Sequence, residues 1–112
     1  MALPPVYTVP LLVGTVTPYG VLEATVPDGY AWIVVDIEVI AQGGLPWVNQ
    51  GGWTLSEAIN STLIARSPWH PGQLPWHDGE VRQQLPPGDT LIFASAGFDG
   101  SCRVTGYQLS LP

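Results

Sequence analysis

Glycine and proline interrupt this chain so often that helices of ordinary length have little room to form. Thirteen glycines and twelve prolines are spread over 112 residues. Proline removes a backbone donor and clashes inside a helix, and glycine there gives up conformational entropy. The segments between them are rich in Val, Ile, Thr, Tyr and Trp, whose side chains fit a pleated, half-buried surface. The pattern predicts an all-β chain, with residues 1–112 forming a single antiparallel β-sandwich, jelly-roll-like, of about eight short strands. Strands are expected at 5–13, 15–25 (interrupted near Pro18), 30–41, 53–58, 62–66, 80–85, 90–95 and 101–111.

The clearest strand is YAWIVVDIEVIA, residues 30–41. Strict alternation puts Ala31, Ile33, Val35, Ile37 and Val39 on one face, the expected core face. The opposite face changes character along its length, from Tyr30, Trp32 and Val34 to Asp36 and Glu38. One end of the strand is therefore expected to be covered on both sides, and the other to meet solvent or a partner. Two turns, VPDGYAW at 26–32 and LPPGDTL at 85–91, share a Pro-to-Gly pattern and read as equivalent corners. AGFDGS at 96–101 reads as a hairpin joining the last two strands. Thr54 to Glu57 matches a helix capping box, but Trp53, Leu55, Glu57 and Ile59 alternate, and a strand is the preferred reading.

Nine acids face three arginines and no lysine, for a net charge of −6. Phosphate-directed nucleic-acid binding needs a basic stripe, and a polybasic membrane surface needs the same; neither is present. Only 11% of residues are charged against 46% hydrophobic, so some of the surface is expected to be covered by another chain and the protein to form a homo-oligomer. Cys102 is the single cysteine, which excludes an internal disulfide and fits synthesis in a reducing compartment. The start, MALPPVYTVPLLVG, has neither the basic region nor the uninterrupted apolar core of a signal peptide.

Between residues 43 and 80 the composition shifts to Gly, Pro, Trp and Gln, and four of the five tryptophans fall there. PWHPG at 68–72 and PWHDG at 75–79 form a near repeat. Three roles compete for these rings: closing the end of the sandwich, anchoring a protein partner, or stacking on sugars. The candidate interface residues are Trp47, Trp53, Trp69, His70, Trp76 and His77.

Catalytic chemistry is hard to place. His70 and His77, with Asp78 or Glu80, lack the spacing of a metal site on one helix or strand face. Asp36 and Glu38 share a strand face as carboxylates on ordinary solvated strands do. No nucleophile elbow, P-loop or dinucleotide fingerprint occurs, and the Asn60-Ser61-Thr62 sequon carries no weight without a secretory signal. The expectation is a non-enzymatic chain with no cofactor, metal or small-molecule substrate.

VYTVP near the start, VPDGYAWIVVDIEV, GEVRQQLPPGDTL and the closing CRVTGYQLS follow one another in the chain. In that order they resemble the small all-β virion proteins encoded among the structural genes of tailed bacteriophages, especially those infecting actinobacteria. The resemblance implies a repeated particle component, made in the host cytoplasm and located in the virion. It would be a capsid decoration protein or a head-to-tail or tail accessory part, with other virion proteins as partners. A carbohydrate- or receptor-binding module using the tryptophan loops is the alternative.

Overall fold

The computed structural model describes residues 8–17, 19–41, 52–66, 76–97 and 100–112. Within them lie nine strands and no helix: β1 (Val9–Val16), β2 (Val21–Thr25), β3 (Tyr30–Ala41), β4 (Trp53–Glu57), β5 (Leu63–Arg66), β6 (Trp76–Asp78), β7 (Gln83–Leu85), β8 (Thr90–Ser95) and β9 (Gly100–Ser110). They form two antiparallel sheets. The five-stranded sheet runs β1–β9–β3, with β6 and β7 both pairing with β3, and the four-stranded sheet runs β2–β8–β4–β5.

The all-β expectation holds, with nine strands in place of about eight. The unforeseen strand is β6, which lies in the tryptophan-rich region and pairs Trp76, His77 and Asp78 with Val39, Glu38 and Ile37 of β3. Where strands are expected at 5–13 and 15–25, the described residues form Val9–Val16 and Val21–Thr25, and residues 5–7 lie outside the described residues. A tight turn separates them, in which the Gly20 N–H donates to the Thr17 carbonyl at 2.8 Å. The segment with both helical and strand periodicity is strand β4, whose Trp53, Leu55 and Glu57 are buried while Thr54 is exposed.

The two Pro-to-Gly turns are equivalent corners. Tyr30 N–H donates to Pro27 O and Asp89 N–H to Pro86 O, each at 3.2 Å. Gly29 and Gly88 sit third in these turns at φ 82° and 83°, in the left-handed region that glycine enters without steric cost. One corner takes the chain from β2 to β3 and the other from β7 to β8, so each crosses between the sheets in the opposite direction. Val26 N–H to Asp89 O and Gly88 N–H to Val26 O tie them together. The segment 96–101 is not a hairpin: β8 pairs with β2 and β4, and β9 with β1 and β3, so it too passes from one sheet to the other.

The largest departure from simple alternation is in β3. Opposite β9, Val34 pairs with Gly106 and Asp36 with Thr105, so Val35 is an extra residue and forms a β-bulge. Everything before it changes face. Trp32 and Val34 join Ile37 and Val39 in the core, whereas Ala31, Ile33 and Val35 lie outside that cluster. Of the expected core face, Ile37 and Val39 belong to the cluster, Ala31 and Val35 are buried outside it, and Ile33 is only half-buried. A second bulge, at Leu11 of β1, falls at the same level of β9, between Pro10↔Thr105 and Leu12↔Val104. Gly106 sits where the strands come closest: a Cβ built there would lie 1.9 Å from the Ile33 carbonyl oxygen.

One hydrophobic cluster draws on both sheets. Leu12, Val16, Trp32, Val34, Ile37, Val39, Cys102 and Val104 come from the five-stranded sheet, and Trp53, Leu55, Leu91 and Phe93 from the four-stranded one. Burying a side chain of this size contributes about 1.5–3 kcal/mol. The Cys102 thiol, buried in the cluster, is pushed up to about 12 by desolvation, so it behaves as a small apolar residue.

Candidate functional site

The outer face of the five-stranded sheet gathers most of the polar chemistry. After the bulge, Asp36, Glu38 and Ile40 of β3 turn outward, opposite Thr105, Arg103 and Ser101 of β9. On the other side of β3, His77 pairs with Glu38. Its Nε2 lies 2.7 Å from Asp36 Oδ1, one step along the strand. Both side chains are substantially solvent-exposed, at 59% and 40%, which limits such an ion pair to less than about 1 kcal/mol. Beside them Thr8, Asp36, Glu38, Arg103 and Thr105 line an open depression of about 230 Å³. The arrangement offers two carboxylates, a guanidinium, hydroxyls and an imidazole to a polar guest. Among the described residues no group of three or more His, Cys, Asp or Glu side chains is placed to hold a metal ion.

A second polar group is buried and structural. Asp89 Oδ1 accepts hydrogen bonds from the N–H groups of Ala58 and Ile59, at 3.0 Å each, and of Thr90 at 2.8 Å. Glu57 accepts from the N–H groups of Asn60 and Thr62. The Thr62 N–H foremost, then the hydrogen bond with Asp89, hold the Glu57 carboxyl at about 2, against burial, which acts the other way. Together the two carboxyls fasten the turn from β4 to β5, satisfying N–H groups that the turn leaves without strand partners. Both acids are almost inaccessible, which suits a structural clamp.

Of the expected interface residues, Trp53, Trp76 and His77 are described, and they do not share one face. Trp53 is 2% exposed and belongs to the core: its ring stacks on Phe93 at 5.4 Å and meets Trp76 edge-on at 5.0 Å. It therefore has no ring face to offer a partner. Trp76 is half-buried against the same cluster, on the inner side of β6, while His77, the next residue, points outward to Asp36. Successive strand residues point to opposite faces, so Trp76 and His77 cannot serve one contact. Trp47, Trp69 and His70 lie outside the described residues.

Sequence reasoning passed over Arg103, Thr105 and Thr8, which complete the outer depression, and the buried pair Glu57 and Asp89. Arg103 and Thr105 stand two apart in CRVTG and so share a face, a usable signal. Nothing local announces that this face lies beside Asp36. For Glu57, alternation with Trp53 and Leu55 already pointed inward. No protein-family model matches the chain, and no curated protein matches it.

Proposed function

We propose that this chain is a non-enzymatic structural part of a tailed-phage virion that works by binding other virion proteins, and that its fold is a β-sandwich of jelly-roll type. The strand order supports the fold. With β6 and β7 counted as one interrupted strand, eight strands divide between the sheets in the orders 1-8-3-6 and 2-7-4-5, an order that fits a jelly roll. That architecture serves in viral capsids and also in lectins.

The observation that carries the functional reading is the surface. Val13, Tyr19, Val21, Ile59, Leu63 and Leu109 are 45% exposed or more among the described residues, on a chain with few charges to keep them wet. Such a surface is suited to being covered by neighbouring proteins in an assembly. The carbohydrate reading loses support because Trp53 and Trp76, two of the rings it would use, are packed on each other.

Mass spectrometry of purified particles tests the proposal. A constant copy number of this chain per particle is expected, with hundreds of copies indicating decoration and about a dozen or fewer a connector or tail part. Absence from particles that otherwise assemble would overturn it.

A further inference from the structure

The connection from β4 to β5 is held by side-chain carboxyls and not by packing. Every residue from Ala58 to Leu63 is exposed, Ile59 at 57% and Leu63 at 50%, and none belongs to the core cluster. Ser61 takes a φ of 54°, in the left-handed region that a residue with a Cβ enters at a cost. The two strands meet in three residue pairs, with a register shift between Leu55 and Ser56. Backbone oxygens receive the N–H groups of Glu57 and Ala58, and the Ser61 N–H reaches the Ala58 carbonyl only at 3.4 Å. The N–H groups of Ile59, Asn60 and Thr62 end on Asp89 and Glu57. Glu57 stands opposite Leu91 in the β4–β8 ladder, which makes Asp89 its diagonal neighbour, and Asp89 belongs to the corner bonded to Val26.

We infer that this tip is a proton-operated latch: while Glu57 is ionised, residues 58–62 are docked against the Asp89 corner, and when it is protonated they open as a local unit with both sheets still folded. Hydrogen bonds to a carboxylate are roughly twice as strong as those to a neutral acceptor, so protonation weakens the bonds from Asn60 and Thr62 together. Nothing apolar then keeps the tip in place. Among the described residues no cation takes over from those donors: Arg66 stands opposite Thr54, at the far end of β4, and the other charged side chains on the neighbouring elements, Glu23 and Asp28, are exposed acids. The docked tip favours the ionised form, holding Glu57 at about 2, foremost through the Thr62 N–H, against 4.5 for a carboxyl without such partners. An open tip therefore binds the proton more readily, and falling pH drives opening. The latch is complete above about pH 4.5 and is lost toward pH 2.

Amide hydrogen exchange of the full chain, followed by nuclear magnetic resonance and corrected for the intrinsic rate at each pH, tests the latch. Protection at Ile59, Asn60 and Thr62 should fall roughly tenfold or more between about pH 5 and about pH 3, while Leu55, Phe93 and Val104 within the sheets stay protected. Glu57→Gln removes the charge and keeps the shape. It should show the loosened tip already at about pH 7, with its sheet amides protected, and respond less to acid. Glu23→Gln, which removes an exposed carboxyl from β2, should behave as the unmutated chain.

Tip protection indifferent to acid overturns the inference. So does a loss shared equally by tip and sheet amides, which would make the Glu57 carboxylate a support of the global fold alone, or a fully protected tip in folded Glu57→Gln at neutral pH. Should that variant fail to fold, the acid series on the unmutated chain decides by itself. None of these results bears on whether the chain is found in particles, so the latch and the assembly reading fail separately.

Discussion

The bulge at Val35 is open to a decisive test because it reverses which of two neighbouring residues the core depends on. Val34 is 0% exposed and packs among Trp32, Ile37 and the opposite sheet, whereas Ile33 lies on the outer face between Tyr107 and Gln84. Val34→Asp places a carboxylate in the cluster without a partner. That costs several kcal/mol, a large share of the roughly 5–15 kcal/mol that holds a domain of this size together. Ile33→Asp forfeits partial burial and some strand preference, about 1–2 kcal/mol, and leaves the charge in reach of water. Urea titrations followed by tryptophan fluorescence and far-ultraviolet circular dichroism should therefore find Ile33→Asp folded with a lowered midpoint, and Val34→Asp unfolded or nearly so in buffer. Deleting Val35 restores a repeat of two through the whole strand. Trp32, Val34, Ile37 and Val39 then share one face by simple alternation, so this variant should stay folded, whereas inserting a residue beside Val35 should unfold the protein by turning one of the two halves outward. A folded Val34→Asp beside an unfolded Ile33→Asp would refute the reasoning and return β3 to simple alternation.

Gly106→Ala should cost about 3 kcal/mol, because the added Cβ meets the Ile33 carbonyl at 1.9 Å and backbone must move; a calorimetric melt should fall by roughly 10–20 °C. Trp76→Ala should lower stability by about 2 kcal/mol through lost packing on Trp53, while His77→Ala should cost less than about 1 kcal/mol and less still in high salt, both read by thermal melting. Glu57 has its carboxyl lowered from 4.5 to about 2 in the folded chain, so its contribution is complete above about pH 4.5 and is lost as pH falls toward 2. Acid titration of stability should show that loss in the unmutated chain, and Glu57→Gln should be less stable at neutral pH with a shallower decline over the same window.

Much of the fold was legible because its signals are local. Pro27-Asp28-Gly29 and Pro86-Pro87-Gly88 give the corners directly, since only a turn with its third residue in the left-handed region wants glycine there. The alternation of Trp53, Leu55 and Glu57 gave β4, while the burial of Glu57, which the same alternation implies, went unread. Strand β6 was hidden for a physical reason: three residues carry too short a period to register, and they are a strand only because Ile37–Val39 lies alongside. The hairpin misreading at 96–101 has a similar cause. A turn signal reports that the chain reverses, but whether the next strand joins the same sheet depends on partners far away, here β1 and β3. The tryptophans misled in a different way. An aromatic ring is equally suited to an interface and to a core, and the choice for Trp53 was made by Phe93, forty residues on.

The change of character along β3 and the outer polar cluster have one origin. Tyr30, Trp32, Val34, Asp36 and Glu38 occupy the same parity in the sequence, so an unbroken strand that buried Trp32 and Val34 would also drive two carboxylates toward the core. The only alternative without an insertion buries Ala31, Ile33 and Val35, and turns the large Trp32 ring to solvent. Val35 resolves the conflict: as an extra residue it keeps Trp32 and Val34 inside with Ile37 and Val39, and turns Asp36 and Glu38 out to face Thr105 and Arg103. The Leu11 bulge on the other side of β9 offsets β1 at the same level, so that both neighbours of the central strand shift together around Thr105 and Gly106. Glycine at 106 is what allows the Ile33 carbonyl to come so close at that point. The depression holding Asp36, Glu38, Arg103 and Thr105 is thus a direct consequence of how the core is packed, and an insertion beside Val35 that turns one half of the strand over should dismantle both together.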